Sequence, residues 1–128
     1  MKTRQFRDLL VWQRSMRLAE MVYTATTPFP REELFGLASQ MRRAAVSVPS
    51  NIAEGQGRNS EKSFAHFLNQ AQGSLYELET QTELARNLSM IAEHQAGELL
   101  AEASEIGRML NGLRSSLRRT ESPQREEH

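Results

Sequence analysis

The stretch that decides the fold reads Ser47-Val48-Pro49-Ser50-Asn51-Ile52-Ala53-Glu54-Gly55-Gln56-Gly57-Arg58. On both sides of it, the apolar spacing is typical of long amphipathic helices. Pro49 removes the backbone hydrogen bond to the carbonyl of Ala45, at a cost of about 3 kcal/mol in a helix interior. Polar neighbours such as Asn51 offer the disturbed backbone local partners. We therefore predict a helix that kinks at Pro49, resumes and ends at Gly55. The alternative is a helix that ends near Val46, followed by a loop and one separate turn.

Length and composition indicate one domain and exclude several classes of protein. The chain has 128 residues and no cysteine, which excludes disulfides, thiolate chemistry and cysteine-based zinc sites. No apolar run approaches the roughly 20 residues of a membrane span. The N-terminus has a basic start but no apolar segment or cleavage site, so it is not a secretory signal. We therefore expect a cytoplasmic protein that does not contact membranes.

Four amphipathic helices are predicted, over residues 8–26, 31–55, 60–88 and 93–118. Their apolar positions recur at steps of three and four. These positions are Leu9, Trp12, Met16, Ala19, Val22 and Tyr23; then Leu34, Leu37, Met41, Ala44 and Val48; then Phe64, Leu68, Ala71, Leu75, Leu78, Thr82 and Ala85; and finally Leu99, Ala103, Ile106, Leu110, Leu113 and Leu117. Long helices with short connections predict an all-α, antiparallel up-down-up-down four-helix bundle over residues 1–119. The polar segment 120–128 has no such period and is predicted to be a disordered tail.

The sequence signals the start of the third helix more clearly than its end. Ser60 is predicted to be its N-cap. Gly73 interrupts the helix interior at a cost of about 1 kcal/mol, so we expect close packing against a neighbouring helix there. The turn that follows Leu88 is poorly marked, because residues 89–92 contain neither glycine nor proline.

The formal net charge is zero, yet the charges are separated along the chain. The first 19 residues are basic, whereas residues 77–105 carry glutamates against the single arginine Arg86. Separated charge favours oriented contacts. The candidate nucleic-acid-binding residues are Arg42, Arg43, Arg58 and Lys62. For each arginine taken singly, a solvated surface position is the stronger interpretation, and the set gains weight only if several copies repeat it.

The sequence does not favour an enzyme. The histidines His66, His94 and His128 are scattered. Bundles that hold two metal ions use Glu-x-x-His, but Ser63 and Ile91 stand three residues before the first two histidines. No serine has a histidine and an acid placed to activate it. We therefore predict no catalytic residues, no metal site and no cofactor.

Several motifs together resemble a known family. They are Leu10-Val11-Trp12-Gln13, Tyr23, Phe29-Pro30, Phe35-Gly36-Leu37, Gln40-Met41-Arg42-Arg43-Ala44-Ala45, Ser47 to Gly55 with Gly57-Arg58, Phe67-Leu68, Ala71, Gly73-Ser74, Glu77-Leu78-Glu79-Thr80 and Ala85-Arg86. Over residues 6–117 the chain is similar to the small four-helix bundle proteins encoded by intervening sequences of bacterial 23S ribosomal RNA genes. It departs from them at Asn87-Leu88-Ser89, where relatives often carry a glycine.

The resemblance implies a homo-oligomer, commonly a ring of five copies. It also implies kinship to the accessory variability protein of diversity-generating retroelements, which works with a reverse transcriptase and nucleic acid. Our hypothesis is a non-catalytic, homo-oligomeric ring that binds structured RNA or duplex DNA through its basic surface. The alternative is a structural or adaptor oligomer that docks a protein such as a reverse transcriptase, without binding nucleic acid directly.

A structural motif is also predicted around the proline. It consists of Pro49, Asn51, Glu54 and Gly55. We expect the side chains of Asn51 and Glu54 to be partly buried and hydrogen-bonded, so that they organise the turn into the third helix instead of performing chemistry.

Overall fold

The computed structural model describes residues 5–126, and it describes side chains as far as residue 117. Within this part of the chain, every regular element is helical. The helices are α1 (Leu10–Thr26), α2 (Leu37–Gln56), α3 (Glu61–Asn87) and α4 (Glu93–Glu126), with 3-10 turns at Phe6–Asp8 and Arg31–Glu33. Helices α1 and α3 each pack against both α2 and α4, and the α2–α3 contact is the most extensive. The prediction of an all-α four-helix bundle is confirmed.

None of the helices in the described part of the chain is both long and apolar enough to cross a membrane.

The first two helices begin later than the sequence predicts. Helix α1 begins at Leu10, after the 3-10 turn, and not at residue 8. Helix α2 begins at Leu37 instead of residue 31, because Glu33 ends a short 3-10 turn and then caps α2. The Glu33 Oε1 atom accepts a hydrogen bond from the Leu37 backbone N–H at 3.1 Å. An unpaired N–H in the first helical turn is satisfied in this way, which favours a helix start at that residue.

Helix α2 runs through Pro49 without interruption and ends at Gln56. The alternative of a helix that ends near Val46 is therefore wrong. The helix ends one residue beyond the predicted end at Gly55, and Gly55 itself is buried where α2 meets α3. A Cβ atom at Gly55 would lie 2.8 Å from Cβ of Phe67 and 2.9 Å from Cδ1 of Phe64. Only glycine allows the two helices to approach this closely.

The expected close contact at Gly73 is not present. A Cβ atom there would meet no described atom within 4 Å. The expectation for Gly73 is therefore wrong, and the glycine at the close helix–helix contact is Gly55, which was predicted only to end a helix. The residues that contact Gly55 belong to a different helix, so no local sequence pattern distinguishes Gly55 from Gly73.

The core contains most of the predicted stripes of α2, α3 and α4. Its largest fully buried side chains include Leu18, Met41, Ile52, Leu68, Leu75, Leu78, Ile106 and Leu110. In α1 the buried face is rotated from the predicted stripe. Leu18 and Val22 are fully buried, whereas Met16 is 38% exposed and Tyr23 is 46% exposed. Helix α1 therefore carries two apolar stripes, and helical spacing alone could not tell which one faces the core.

The turn between α3 and α4 compensates for its missing glycine with a strained serine. Ser89 has a φ of 60°, in the left-handed region that favours glycine. The backbone N–H of Met90 donates to the carbonyl of Ala85 at 2.9 Å, and that of Ser89 donates to Arg86 at 3.0 Å. This pair of bonds is the Schellman motif that ends many helices. The turn thus lies between α3 and α4 at residues 88–92, as predicted.

Ser60 caps α3 as predicted, because its Oγ accepts the backbone N–H of Ser63 at 3.0 Å. At the other end of the chain, α4 continues to Glu126. This end lies beyond the predicted helix end at residue 118. The disordered tail over residues 120–128 stays a prediction, and residues 127 and 128 lie outside the described part.

Replacing Gly55 tests the closeness of α2 and α3. We expect Gly55→Ala to lower the free energy of unfolding by about 1–3 kcal/mol, because its methyl group must push two phenylalanines aside. Gly112→Ala is the matched control: a Cβ atom there meets nothing within 4 Å, so this change should raise stability by up to about 1 kcal/mol. Urea unfolding at one fixed protein concentration measures both. Equal effects of the two substitutions would contradict the close approach.

Candidate functional site

The predicted cation Arg42 takes part in the α1–α2 contact. Its Nε donates to Oγ1 of Thr26 at 2.8 Å, and its Nη2 donates to the Tyr23 carbonyl at 3.4 Å. The guanidinium carbon lies 4.7 Å from the centre of the Tyr23 ring. A guanidinium over an aromatic face gains a cation–π attraction in addition to its hydrogen bonds. Arg42 therefore fastens the end of α1 to α2, and this use competes with binding a phosphate.

Arg43 is more open to solvent than its neighbour. It is exposed, and its Nη2 lies 3.5 Å from the Ser39 hydroxyl. Beside it, a polar groove of about 350 Å³ runs between α2 and α3. The groove is lined by Gln40, Arg43, Ala44, Ser47, Glu77 and Gln81. Arg43 makes no ion pair within the described residues, so its charge is available to a partner.

Arg58 and Lys62 lie at the turn between α2 and α3. Nη2 of Arg58 lies 2.5 Å from Oε2 of Glu54, and both side chains are about half exposed. The Arg58 guanidinium also lies 5.0 Å from the centre of the Phe67 ring. An exposed pair of this kind contributes little to stability and still neutralises charge. Lys62 is exposed and has no ion-pair partner among the side chains described.

The four predicted cations do not form one cluster within a single chain. Arg43 lies in the first half of α2, whereas Arg58 follows its end at Gln56. With a rise of about 1.5 Å per residue, the two ends of this set are roughly 20 Å apart along α2. A single nucleic-acid backbone could span that distance, but a single phosphate could not contact both ends. The chain therefore presents two separate basic positions beside α2.

The structural motif around Pro49 is only partly as predicted. Asn51 is half-buried, and its Nδ2 donates to the carbonyl of Ser47 at 2.8 Å and to its hydroxyl at 3.0 Å. That hydroxyl also lies 2.8 Å from the hydroxyl of Ser74 on α3. Asn51 thus holds a polar link between two helices. Glu54 is hydrogen-bonded as expected, to Arg58 in the turn that leads to α3, but its side chain is exposed and not partly buried.

An apolar groove, which the sequence did not predict, lies between α1 and α2. This α1–α2 groove has a volume of about 510 Å³. It is lined by Phe6, Trp12, Met16, Ala19, Glu20, Tyr23, Val46, Pro49, Ser50 and Ala53. Four of these residues, Trp12, Met16, Ala19 and Tyr23, form the second apolar stripe of α1. The signal was present in the sequence as that stripe, but it was assigned to the core.

The acidic region is joined to the basic N-terminal region by a two-pronged ion pair. Nε and Nη2 of Arg14 donate to the two carboxylate oxygens of Glu102 at 2.7 and 2.9 Å. These hydrogen bonds lower the pKa of Glu102 and raise the pKa of Arg14. Because the folded-state pKa of Glu102 is lowered, the pair stabilises the fold above the unfolded-state pKa. That contribution is lost as the pH falls through the folded-state pKa.

No group of three His, Cys, Asp or Glu side chains is arranged to hold a metal ion in the part of the chain that the structure describes. The rings of His66 and Phe67 lie 5.2 Å apart, centre to centre, with their planes at 78°. The prediction of no catalytic residue and no cofactor stays a prediction.

Four packed helices with open surface beside α2 define a small helical-bundle protein. The family model for the 23S rRNA-intervening sequence protein matches residues 7–112. The chain therefore belongs to that family, and the resemblance seen in the sequence is confirmed.

The fold also occurs in a solved structure of related description. It is the crystal structure of a protein of unknown function from the S23 ribosomal protein family of Bacteroides thetaiotaomicron VPI-5482. It has a TM-score of 0.74 and 23% sequence identity, over 82% of this chain and 98% of that one. At this identity the likeness shows the fold alone. No match was found among the curated proteins.

Removing the Asn51 side chain tests the polar link between α2 and α3. We expect Asn51→Ala to lower the free energy of unfolding by about 1–3 kcal/mol, because the half-buried hydroxyl of Ser47 loses a donor. Asn59→Ala in the exposed turn serves as the control and should leave stability within about 0.5 kcal/mol of wild type. Thermal and urea unfolding measure the difference. An Asn51→Ala protein as stable as the control would show that the link contributes nothing.

Proposed function

We propose that this protein is a non-catalytic helical bundle that works as a homo-oligomer. The observation that carries the proposal is its exposed apolar surface. Large apolar side chains with more than a third of their surface exposed are Leu10, Met16, Tyr23, Leu34, Phe35, Val46, Tyr76, Leu84 and Leu88. Tyr23, Leu34, Phe35 and Val46 of this set line one depression, and soluble monomers rarely expose large contiguous apolar patches, because their contact with water is unfavourable. Self-association would bury it.

The arrangement that we propose is an up-down-up-down bundle in a closed ring, with α2 bent at Pro49. Short connections at 57–60 and 88–92 join helices that pack against each other, which supports antiparallel neighbours. The missing N–H of Pro49 supports the bend. The number five comes from the family resemblance, not from any distance in the structure.

Nucleic-acid binding is the second candidate function, and Arg43 and Lys62 are the residues that favour it. Both are exposed, and neither forms an ion pair among the described side chains. Arg42 and Arg58 are weaker candidates than the sequence suggested, because each is already engaged within the chain. Two available cations per copy would contribute little alone, but a ring repeats them and so adds phosphate contacts. Such binding would follow the backbone of structured RNA or duplex DNA with little sequence preference.

Light scattering coupled to size exclusion tests the assembly. We expect a mass several times that of the 14.6 kDa chain at micromolar concentration, or about 73 kDa if five copies assemble. Association through apolar surface should survive 1 M salt, because screening weakens charge–charge contacts and not hydrophobic burial. A mass near that of one chain at every concentration would overturn the proposal.

Salt titrations of duplex DNA and structured RNA test the second candidate. In Arg43→Glu/Lys62→Glu, the slope of log K against log salt should fall by about 2 per bound copy, because two phosphate contacts are lost. Arg17→Glu/Arg108→Glu is the matched control, with the same charge change on exposed residues of α1 and α4. Equal binding by the two double variants would exclude this surface, as would no binding by wild type at low salt.

A further inference from the structure

Phe35 is the most exposed large apolar residue in the described part of the chain. It lies just before α2 and is 94% exposed. The half-buried Glu33, which caps α2, and the buried Leu37 hold the backbone on either side of it. An aromatic side chain on a held backbone loses little conformational freedom when it is buried by a partner. Phe35 is therefore suited to insert into an apolar groove.

The α1–α2 groove has the lining that such an aromatic ring requires. Trp12, Tyr23 and Met16 line it from α1, and Pro49 and Val46 line it from α2. Aromatic rings pack edge-to-face or offset against one another, and a methionine sulfur adds a further attraction. The second apolar stripe of α1 repeats at helical spacing along this groove, so its apolar character is continuous. Met16 and Tyr23 of this stripe are exposed, whereas Ala19 belongs to the core and Trp12 packs against it.

Phe35 does not fill the α1–α2 groove of its own chain, although Tyr23 and Val46, which line that groove, also line a depression beside Phe35. The Phe35 side chain is 94% exposed, so it makes little contact with either residue. The groove is therefore open to a ring from a second copy.

The charges beside the two features are complementary. Glu20 lies at the rim of the α1–α2 groove and is exposed. Arg31 precedes Phe35 by four residues and is also exposed. Neither makes an ion pair within the described residues. An approaching copy thus brings an unpaired guanidinium near an unpaired carboxylate, which steers association and suppresses the reverse orientation.

We propose that Phe35 of one copy inserts into the α1–α2 groove of the next copy. This inference rests on the proposed homo-oligomer and names the contact that builds it. Every copy donates one ring to one neighbour and accepts a ring from another, which makes the contact heterologous and distinguishes it from a reciprocal two-fold exchange. A heterologous contact closes into a ring when its rotation allows, and otherwise extends into a filament.

Disulfide trapping tests the contact directly, since the wild-type chain has no cysteine. One variant carries Leu34→Cys, beside the intact Phe35, and another carries Ser50→Cys, on the exposed rim of the groove. When the two proteins are mixed and oxidised, we expect a disulfide-linked heterodimer as the main cross-linked product. Each chain has a single thiol, so the bond forms only between copies. Ala101→Cys, at an exposed position of α4, mixed with Ser50→Cys is the control and should remain uncross-linked.

Removal of the ring supplies an independent measurement. Phe35→Ser should weaken association by at least about 30-fold, as is typical of a buried aromatic anchor. Ala101→Ser, at an exposed position of α4 outside the proposed contact, should associate like wild type. The single tryptophan, Trp12, lines the groove. Its emission should shift to longer wavelength in Phe35→Ser and in wild type diluted below its dissociation constant, while circular dichroism shows unchanged helix content.

The outcomes separate this contact from the proposed oligomer. If Phe35→Ser remains fully assembled, or if the two cysteines do not cross-link within an assembled protein, the contact is wrong while self-association stands. If wild type is monomeric at every concentration, both proposals fall. Disassembly of Phe35→Ser together with the heterodimer supports both.

Discussion

The structure depends on how closely α2 approaches α3. Gly55 allows Phe64 and Phe67 to lie directly against the α2 backbone, and the hydroxyls of Ser47 and Ser74 link the same two helices 2.8 Å apart. Two long helices in such contact form a rigid pair, because their side chains interlock and their polar groups are satisfied. Helix α1 packs against α2, helix α4 packs against α3, and α1 and α4 also contact each other. The turn that carries Arg58 and Lys62 is positioned by the same contact.

Helix α2 faces the core on one side and lines the α1–α2 groove on another. Met41, Val48 and Ile52 are fully buried in the bundle. Val46, Ser50 and Ala53 line the α1–α2 groove instead. Pro49 is buried at the boundary between the two, where its missing N–H cannot donate to Ala45 but its ring adds apolar surface. A proline in a helix interior is unfavourable locally. Its position beside the open α1–α2 groove places residues 47–58 next to a surface as well as the core.

The candidate basic site was only partly predictable. The sequence identified four cations by type, but charge alone does not show whether a residue is available. The partners of Arg42 come from α1, sixteen and nineteen residues earlier, so no local pattern could reveal them. The partner of Arg58 lies one helical turn away at Glu54, a spacing that the sequence did contain. Arg43 and Lys62 remain available because no carboxylate of the described chain reaches them.

The sequence by itself determined the all-α class, the number of helices, the Ser60 cap and the core stripes of α2, α3 and α4. These follow from local spacing and capping, which depend on residues within one or two turns of each other. Only the tertiary structure decided which stripe of α1 faces the core, which glycine permits close packing and which arginines are engaged. Each of those outcomes depends on a partner from another helix. A one-dimensional pattern cannot distinguish two apolar faces of similar spacing, because only packing assigns one of them to the interior.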